Sequence, residues 1–157
     1  MPVIKLETKI NAPIERVFDL ARSIDLHTKS TAVSGEEAIA GRTSGLINLD
    51  ETVTWRAKHL GFRQTLTSKI TVFERPAHFR DSMVRGIFKR IDHDHFFEEI
   101  AVGTLMRDRF DYDAPLWILG KIADGLFLEN YMTGFLIERN KLIKEIAESK
   151  KWREYIL

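Results

Sequence analysis

Alternating polar and apolar residues dominate most of the chain, and helical spacing takes over near its end. Residues 3–10 alternate and are rich in β-branched side chains, which is typical of a strand. Asn11 and Pro13 follow at positions that favour a helix start, and the apolar residues after them share one helical face. Residues 24–29 indicate a second short helix or turn. The chain is therefore predicted to begin with one strand and one or two short helices.

Strand-like segments follow one another between residues 36 and 113, separated by short gaps that contain Gly or Pro. We predict strands over 36–40, 50–59, 62–74, 78–86, 88–99 and 104–113. Such short connections join antiparallel neighbours in a meander.

Beyond Pro115, apolar residues from Leu119 to Ile146 recur at helical spacing, although Gly125 and Gly134 weaken the pattern. A long helix with an apolar face needs a large surface to cover it, and the sheet is the only candidate. We therefore expect one α+β domain over residues 1–157. In it, a curved antiparallel sheet of about seven strands wraps around a long C-terminal helix and leaves a cavity between them.

The segment 90–98 divides into two faces, because side chains alternate across a strand. If one of these faces were buried, several charged side chains would lose their contact with water without gaining partners, at a cost of several kcal/mol for each. That face is predicted to meet water, and it comprises Arg90, Asp92, Asp94, Phe96 and Glu98. The other face carries His93 and His95, which are therefore predicted to point inward.

The next strand places one acid on the same inner surface. Its inward set is predicted to be Thr104, Met106, Asp108, Phe110 and Tyr112. A hairpin about residues 101–102 puts Asp108 opposite His95 or one diagonal step away, and opposed Cβ atoms lie roughly 5 Å apart. A register slip of two residues would bring His93 or Phe97 there instead.

Two earlier strands supply the remaining inner wall. We expect Val53, Trp55, Ala57 and His59 to face inward, and then Phe62, Gln64, Leu66, Ser68, Ile70 and Val72. The segment 78–86 is ambiguous, since Phe79 and Met83 share their face with Asp81 and Arg85. An apolar and aromatic wall with a few polar groups is typical of a small-molecule pocket.

Composition narrows the class of protein. The chain is 44% hydrophobic and 30% charged, with 24 basic and 23 acidic residues, so no overall field favours nucleic acid or anionic membranes. It has no cysteine, which excludes disulfides and thiolate chemistry. No stretch resembles a signal peptide or the roughly 20 apolar residues of a membrane span. We expect a cytoplasmic protein without nucleic-acid partners or stable membrane insertion, either a monomer or a homodimer.

Three segments carry a family resemblance: VTWRAKHLGFRQTLTSKI (53–70), DSMVRGIFKRIDHDHFF (81–97) and GTLMRDRFDYDAP (103–115). With the overall layout, they resemble stand-alone bacterial members of the START-like, or SRPBCC, superfamily, which includes polyketide cyclases, lipid-transfer domains and the birch-pollen allergen. The resemblance implies a helix-grip fold with a deep cavity for hydrophobic or amphipathic ligands. By position it implies that the cavity is faced by Trp55, His59, Gln64, His93, His95, Asp108 and Tyr112. No reaction is implied, because members include enzymes, carriers and proteins of unknown role.

The histidines allow three kinds of chemistry. A His-x-His pair with Asp108 could hold a metal, but no other His cluster supports it, and we expect no metal or cofactor. His93 or His95 with Asp108 could act as an acid/base pair. The same groups could instead only orient a ligand. Neither a nucleophile elbow nor a phosphate-binding glycine loop is present.

The sequence therefore favours binding or carriage of a small hydrophobic or amphipathic molecule. The apolar contacts are predicted to come from Trp55, Leu66, Met83, Phe97, Phe110, Leu126 and Phe127. The polar end is predicted to meet His59, Gln64, His93, His95, Asp108 and Tyr112. Two alternatives remain open: a cyclase or dehydratase that uses the His–Asp pair, and a protein-interaction module whose cavity is largely filled by its own side chains.

Overall fold

A computed structural model describes residues 2–59, 61–115 and 125–156. The strands are β1 (Val3–Ile10), β2 (Glu37–Gly41), β3 (Thr52–His59), β4 (Phe62–Glu74), β5 (His78–Arg85), β6 (Arg90–Ile100) and β7 (Gly103–Asp113). The helices are α1 (Ile14–Ala21), α2 (Ile24–Ser30), α3 (Gly125–Glu148) and α4 (Arg153–Ile156), with single 3-10 turns at Ala32–Ser34 and Lys150–Trp152. The predicted order of elements is confirmed. The part of the long helix predicted before Gly125 lies outside the described residues.

All strands form one antiparallel sheet in the order β1-β7-β6-β5-β4-β3-β2. Strands β2 to β7 are therefore a simple meander, and β1 closes the sheet beside β7. The apolar stripe of α3 is buried at Leu128, Leu136, Ile143 and Ile146. The predicted α+β fold, a curved sheet gripping a long C-terminal helix, is confirmed.

The hairpin between β6 and β7 has the predicted register, with His95 opposite Asp108. Its turn ends at Gly103, which has a φ of 130°. A side chain at this position would collide with the carbonyl oxygen of Ile10, so only glycine lets β1 approach so closely. The turn thus helps to hold the strand pair that carries the histidines and Asp108.

A bulge in β4 changes one predicted facing. The register shifts between Ile70 and Val72, so that Val72 pairs with Arg80 and Phe73 pairs with Phe79. An extra residue in one strand reverses the side on which the following side chains lie. The prediction that Val72 faces inward is therefore wrong, and Phe73 packs against the core instead.

The charged face of β6 was predicted to meet water, and Asp94 departs from this prediction. Its residue surface is only 1% exposed. The carboxylate accepts hydrogen bonds from Arg80 (Nε, 2.8 Å) and from His78 (Nε2, 2.7 Å). These partners lie on the neighbouring strand and cover Asp94, which offsets the cost of removing its charge from water.

The largest apolar cluster is organised around Phe18 of α1. This side chain is fully buried, and its ring makes edge-on contacts with Phe73, Phe79 and Phe97 at centroid distances of 5.5, 5.3 and 5.2 Å. Such edge-to-face pairs add to the free energy gained from burial alone. Through Phe18, the first helix is joined to three strands of the sheet.

We expect Phe18→Ala to lower the free energy of unfolding by about 3–5 kcal/mol, because it removes a fully buried ring and leaves a cavity. Urea unfolding followed by circular dichroism measures this. The control is Val102→Ala in an exposed turn, which should change stability by less than about 0.5 kcal/mol. A similar small change for both variants would contradict the central role of Phe18.

Candidate functional site

A cavity of about 200 Å³ lies between the sheet and α3. Its walls are mainly apolar and include Val53, Trp55, Leu66, Ile91, Phe110 and Leu136. Most of its titratable side chains fall into two groups, one around β5 and β6 and one near the start of β2. The alternative in which the interior is filled by its own side chains does not fit a cavity of this size.

The first polar group, the His93 cluster, comprises Asp81, His93, His95, Asp108, Arg139 and Asn140. His93 and His95 occupy alternate positions of β6 and therefore lie on the same face. Nε2 of His93 is 2.8 Å from Oδ1 of Asp108 on β7. Nε2 of His95 is 2.7 Å from Oδ2 of Asp81 on β5. Each imidazole thus contacts a carboxylate from a different neighbouring strand.

Helix α3 supplies the remaining members, which sequence reasoning missed. Nδ2 of Asn140 donates to Oδ2 of Asp108 at 2.7 Å, and Nη1 of Arg139 lies 3.5 Å from Oδ1. Arg139 also donates to the carbonyl oxygen of Ala21 at the end of α1. A signal was available: Arg139 and Asn140 fall on the stripe that Leu136 and Ile143 define at helical spacing. Polar residues on a buried stripe indicate a buried polar partner.

The carboxylates of the cluster are ionised. Burial alone would raise the pKa of Asp108, but hydrogen bonds from His93 and His95 and the charge of Arg139 hold it well below its usual value. For Asp81, too, burial alone would raise the pKa, but the hydrogen bond from His95 and the nearby charges lower it to about 2. Two negative charges are therefore held beside one guanidinium.

His93 is held in its neutral form. Burial lowers its pKa, and so does the neighbouring His95, and these effects outweigh the attraction of the carboxylates. A neutral His93 that donates its Nε2 proton to Asp108 carries its lone pair on Nδ1. This atom lies 4.0 Å from Oδ2 of Asp81. A basic nitrogen and a carboxylate thus face the same part of the cavity.

The members of the cluster differ in their access to the cavity. The side chain of Asp81 is 29% exposed and that of His93 is 7% exposed, whereas that of Asp108 is completely buried. Asp81, His93, His95 and Arg139 line the cavity. Asp108 lies behind the histidines and holds them, which differs from the prediction that it meets the ligand's polar end.

Asp81, His93 and His95 are also the residues most able to hold a metal, since their ligand atoms lie within 4.8 Å of one another. However, the centroids of the two imidazole rings are 3.8 Å apart, with their planes tilted by 35°. Nε2 of His93 and Nε2 of His95 are already engaged with Asp108 and Asp81 at hydrogen-bond distances. The geometry favours a hydrogen-bonded network over a metal centre.

The other predicted site residues fall into two sets. Those that line the cavity are Trp55, His59, Gln64, Leu66 and Phe110. The others do not line it: Phe97 packs in the Phe18 cluster, Met83 and Tyr112 pack in a second apolar cluster, and Phe127 is half exposed. The side chains of Leu126 and of Phe62, which was predicted to face inward, lie outside the described part of the structure.

The second polar group, the Glu36 cluster, comprises His27, Glu36, His59 and Tyr131, which all line the cavity. Nδ1 of His59 is 2.8 Å from the hydroxyl oxygen of Tyr131, and Nε2 of His27 is 3.4 Å from Oε1 of Glu36. Sequence reasoning identified only His59. The other three lie outside the alternating strands: His27 is on α2, Tyr131 is on α3, and Glu36 precedes β2. Helical spacing groups Tyr131 with Phe135, but it does not indicate that Tyr131 meets a histidine from the sheet.

No protein-family model matches this sequence, and no curated protein sequence matches it. Solved protein structures do match this chain. TTHA0849 from Thermus thermophilus is 19% identical with a TM-score of 0.75, over 93% of this chain and 97% of that one. A START superfamily protein from Mycobacterium smegmatis is 10% identical, with a TM-score of 0.69. The match covers 93% of this chain and 97% of that one. The di-domain ARO/CYC StfQ from the steffimycin biosynthetic pathway is 9% identical, with a TM-score of 0.70. The match covers 93% of this chain and 50% of that one.

These likenesses, with the sheet order and the long C-terminal helix, show that the protein has the helix-grip fold of the START-like proteins. The resemblance stated from the sequence is thereby confirmed at the level of fold. Among the described residues, none of the helices combines the length and the apolar character needed to cross a membrane.

We expect Asp81→Asn to flatten the acid limb of the stability curve. The pKa of Asp81 is about 2 in the folded protein and about 3.9 in an unfolded chain. Its contribution of about 2 kcal/mol is therefore present above pH 4 and lost as the pH falls toward 2. Urea unfolding at several pH values should show wild type and Asp81→Asn converging over this range.

The matched control is Asp50→Asn, because the side chain of Asp50 is 75% exposed and its backbone already has the positive φ that asparagine tolerates. This variant should stay parallel to wild type across the same pH range. A difference between wild type and Asp81→Asn that does not change with pH would contradict the assignment.

Proposed function

We propose that the protein binds a small amphipathic molecule in the cavity between the sheet and α3. The apolar part of the ligand packs against the walls, and a polar group contacts Asp81 and His93. The observation that carries the proposal is a cavity of about 200 Å³ with mainly apolar walls and the ionised Asp81 beside His93 on one side.

The apolar walls of the cavity and the polar groups at one side of it both favour such a ligand. Apolar atoms of a bound molecule gain about 25 cal/mol for each Å² removed from water. Asp81 is an ionised acceptor and Nδ1 of neutral His93 is a second acceptor, so a hydroxyl or amine of the ligand can donate to either. The likeness to a START superfamily protein supports this proposal, although at 10% identity it speaks for the fold alone.

We expect Leu66→Trp to weaken binding at least tenfold, because Leu66 lines the cavity and the larger ring occupies space that a ligand needs. The probe is N-phenyl-1-naphthylamine, whose fluorescence rises in apolar surroundings. Titration of the purified protein with this probe measures the dissociation constant and the stoichiometry.

Val84→Trp is the control, since it adds the same ring at a position that is 61% exposed on β5. It should bind the probe as wild type does. Equal binding by both variants, or a wild-type protein that does not bind one equivalent of probe, would contradict binding in this cavity.

A second candidate function is proton abstraction from a carbonyl compound, in the manner of a cyclase or dehydratase. The observation that favours it is the neutral His93, whose Nε2 is held by the buried Asp108 and whose Nδ1 lies 4.0 Å from Oδ2 of Asp81. A carboxylate that fixes the tautomer of an imidazole is a usual arrangement for a general base.

For this candidate we expect the protein to speed exchange of the α-hydrogens of 2-nonanone in deuterated water, observed by NMR. His93→Asn should slow that exchange by about 10²–10⁴-fold, the usual contribution of a general base. Because the pKa of His93 is lowered, the wild-type rate should persist below pH 6.5. Exchange no faster than in buffer, with ketone bound, would leave binding as the function.

A further inference from the structure

The Glu36 cluster lies at the other side of the cavity from the His93 cluster. Glu36 directly precedes β2 at the edge of the sheet, and His59 ends β3, whereas His93 and His95 are on β6. Three strand spacings separate β3 from β6, or about 14 Å along the sheet. A ligand that fills the cavity can therefore contact both clusters at once.

One carboxylate oxygen of this cluster lacks a partner. Glu36 is only 9% exposed, and its Oε2 accepts no hydrogen bond from any described residue. Nε2 of His59 lies 3.9 Å from Oε2, which is too long for a hydrogen bond. Buried acceptors are nearly always satisfied, so an unsatisfied carboxylate oxygen at a cavity wall points to a donor that comes with a ligand.

Glu36 is ionised although it is buried. Burial alone would raise its pKa, but the hydrogen bond and charge of His27 outweigh this effect and keep the pKa below its usual value. A donor for Oε2 therefore meets an ionised carboxylate, and charge-assisted hydrogen bonds are the stronger kind.

The charges around the cavity are unbalanced. Apart from the imidazoles, the described lining and the carboxylate behind it carry three acidic groups, Glu36, Asp81 and Asp108, against Arg139. Arg22 also reaches the cavity, but its charge is paired with Asp19 at 2.9 Å. A carboxylate or phosphate ligand would add to the excess of negative charge, whereas a cation would compensate it.

Aromatic rings pack against the two histidines beside Glu36 and line the same cavity. His59 makes edge-on contacts with Phe135 and Tyr131 at centroid distances of 5.3 and 6.0 Å, and His27 lies against Trp55 at 4.3 Å. Electron-rich ring faces attract organic cations, most strongly where water is excluded. The surroundings of Glu36 thus suit an ammonium group better than a hydroxyl, which has no charge to pair with the carboxylate.

We propose that the Glu36 cluster binds a protonated amine of the ligand, with an ammonium N–H donating to Oε2 of Glu36. This inference rests on the proposed function and specifies its ligand class: an apolar molecule with a cationic nitrogen at the end that lies away from the His93 cluster.

The test compares three probes with the same chain and different ends: decylamine, 1-decanol and decanoic acid, titrated at pH 7 by calorimetry. Wild type should bind the amine at least tenfold more tightly than the alcohol, and the acid most weakly. This measurement needs no variant. Equal binding of amine and alcohol, or tighter binding of the acid, would overturn the inference.

Glu36→Gln removes the charge and keeps the shape of the side chain. We expect it to weaken binding of decylamine at least tenfold and to leave binding of 1-decanol within about threefold. Glu37→Gln is the matched control: it changes the adjacent residue, whose side chain is 64% exposed and pairs with Arg56 on the surface. It should behave as wild type. Unchanged amine binding by Glu36→Gln would show that the amine does not meet Glu36.

The outcomes separate this inference from the proposed function. Binding of the neutral naphthylamine probe without preference for decylamine would overturn the ammonium site and leave the cavity function standing. Failure of wild type to bind any of the probes would contradict both. Thermal unfolding of each variant, followed by circular dichroism, verifies that the comparison is made between folded proteins.

Discussion

The structure depends on the burial of one ionised carboxylate, Asp108, whose side chain has no contact with water. Such a charge is tolerated only when donors surround it. Here the donors come from two elements other than its own strand: the imidazole of His93 on β6 and the amide of Asn140 on α3, with Arg139 close by. The requirement ties the sheet to the long helix at a defined point beside the cavity.

The contacts of Asp108 also position the polar groups at the cavity wall. Because Asp108 holds His93 from behind, the other ring nitrogen of His93 is directed toward Asp81, which is the most accessible acid of the cluster. His95 stacks on Phe79, which in turn contacts Phe18 in the main core. The polar cluster is thus packed against the main core, and such support serves both the selective binding of a ligand and the positioning of a base. Carriage and proton transfer are two uses of the same geometry.

Much of the fold was predictable because it follows from local rules. Alternation along β6 and β7 assigned His93, His95 and Asp108 to the inner face, and the short turn before Gly103 set their register. The same rules failed where a single residue interrupts them. The bulge in β4 moves Phe73 inward in place of Val72. Asp94 is buried because neighbours on β5 cover it, which the strand's own pattern does not record.

The sequence by itself determined the strands, the helix, the side of the sheet on which the histidines lie and the mainly apolar inner wall, since each depends on residues a few positions apart. Only the tertiary structure decided which distant groups meet there. Arg139, Asn140 and Tyr131 approach from a helix, and His27 and Glu36 from the segment before β2. Their positions depend on how the helices cross the sheet. No periodicity encodes that crossing, because it results from packing and from the pairing of buried charges over the whole domain.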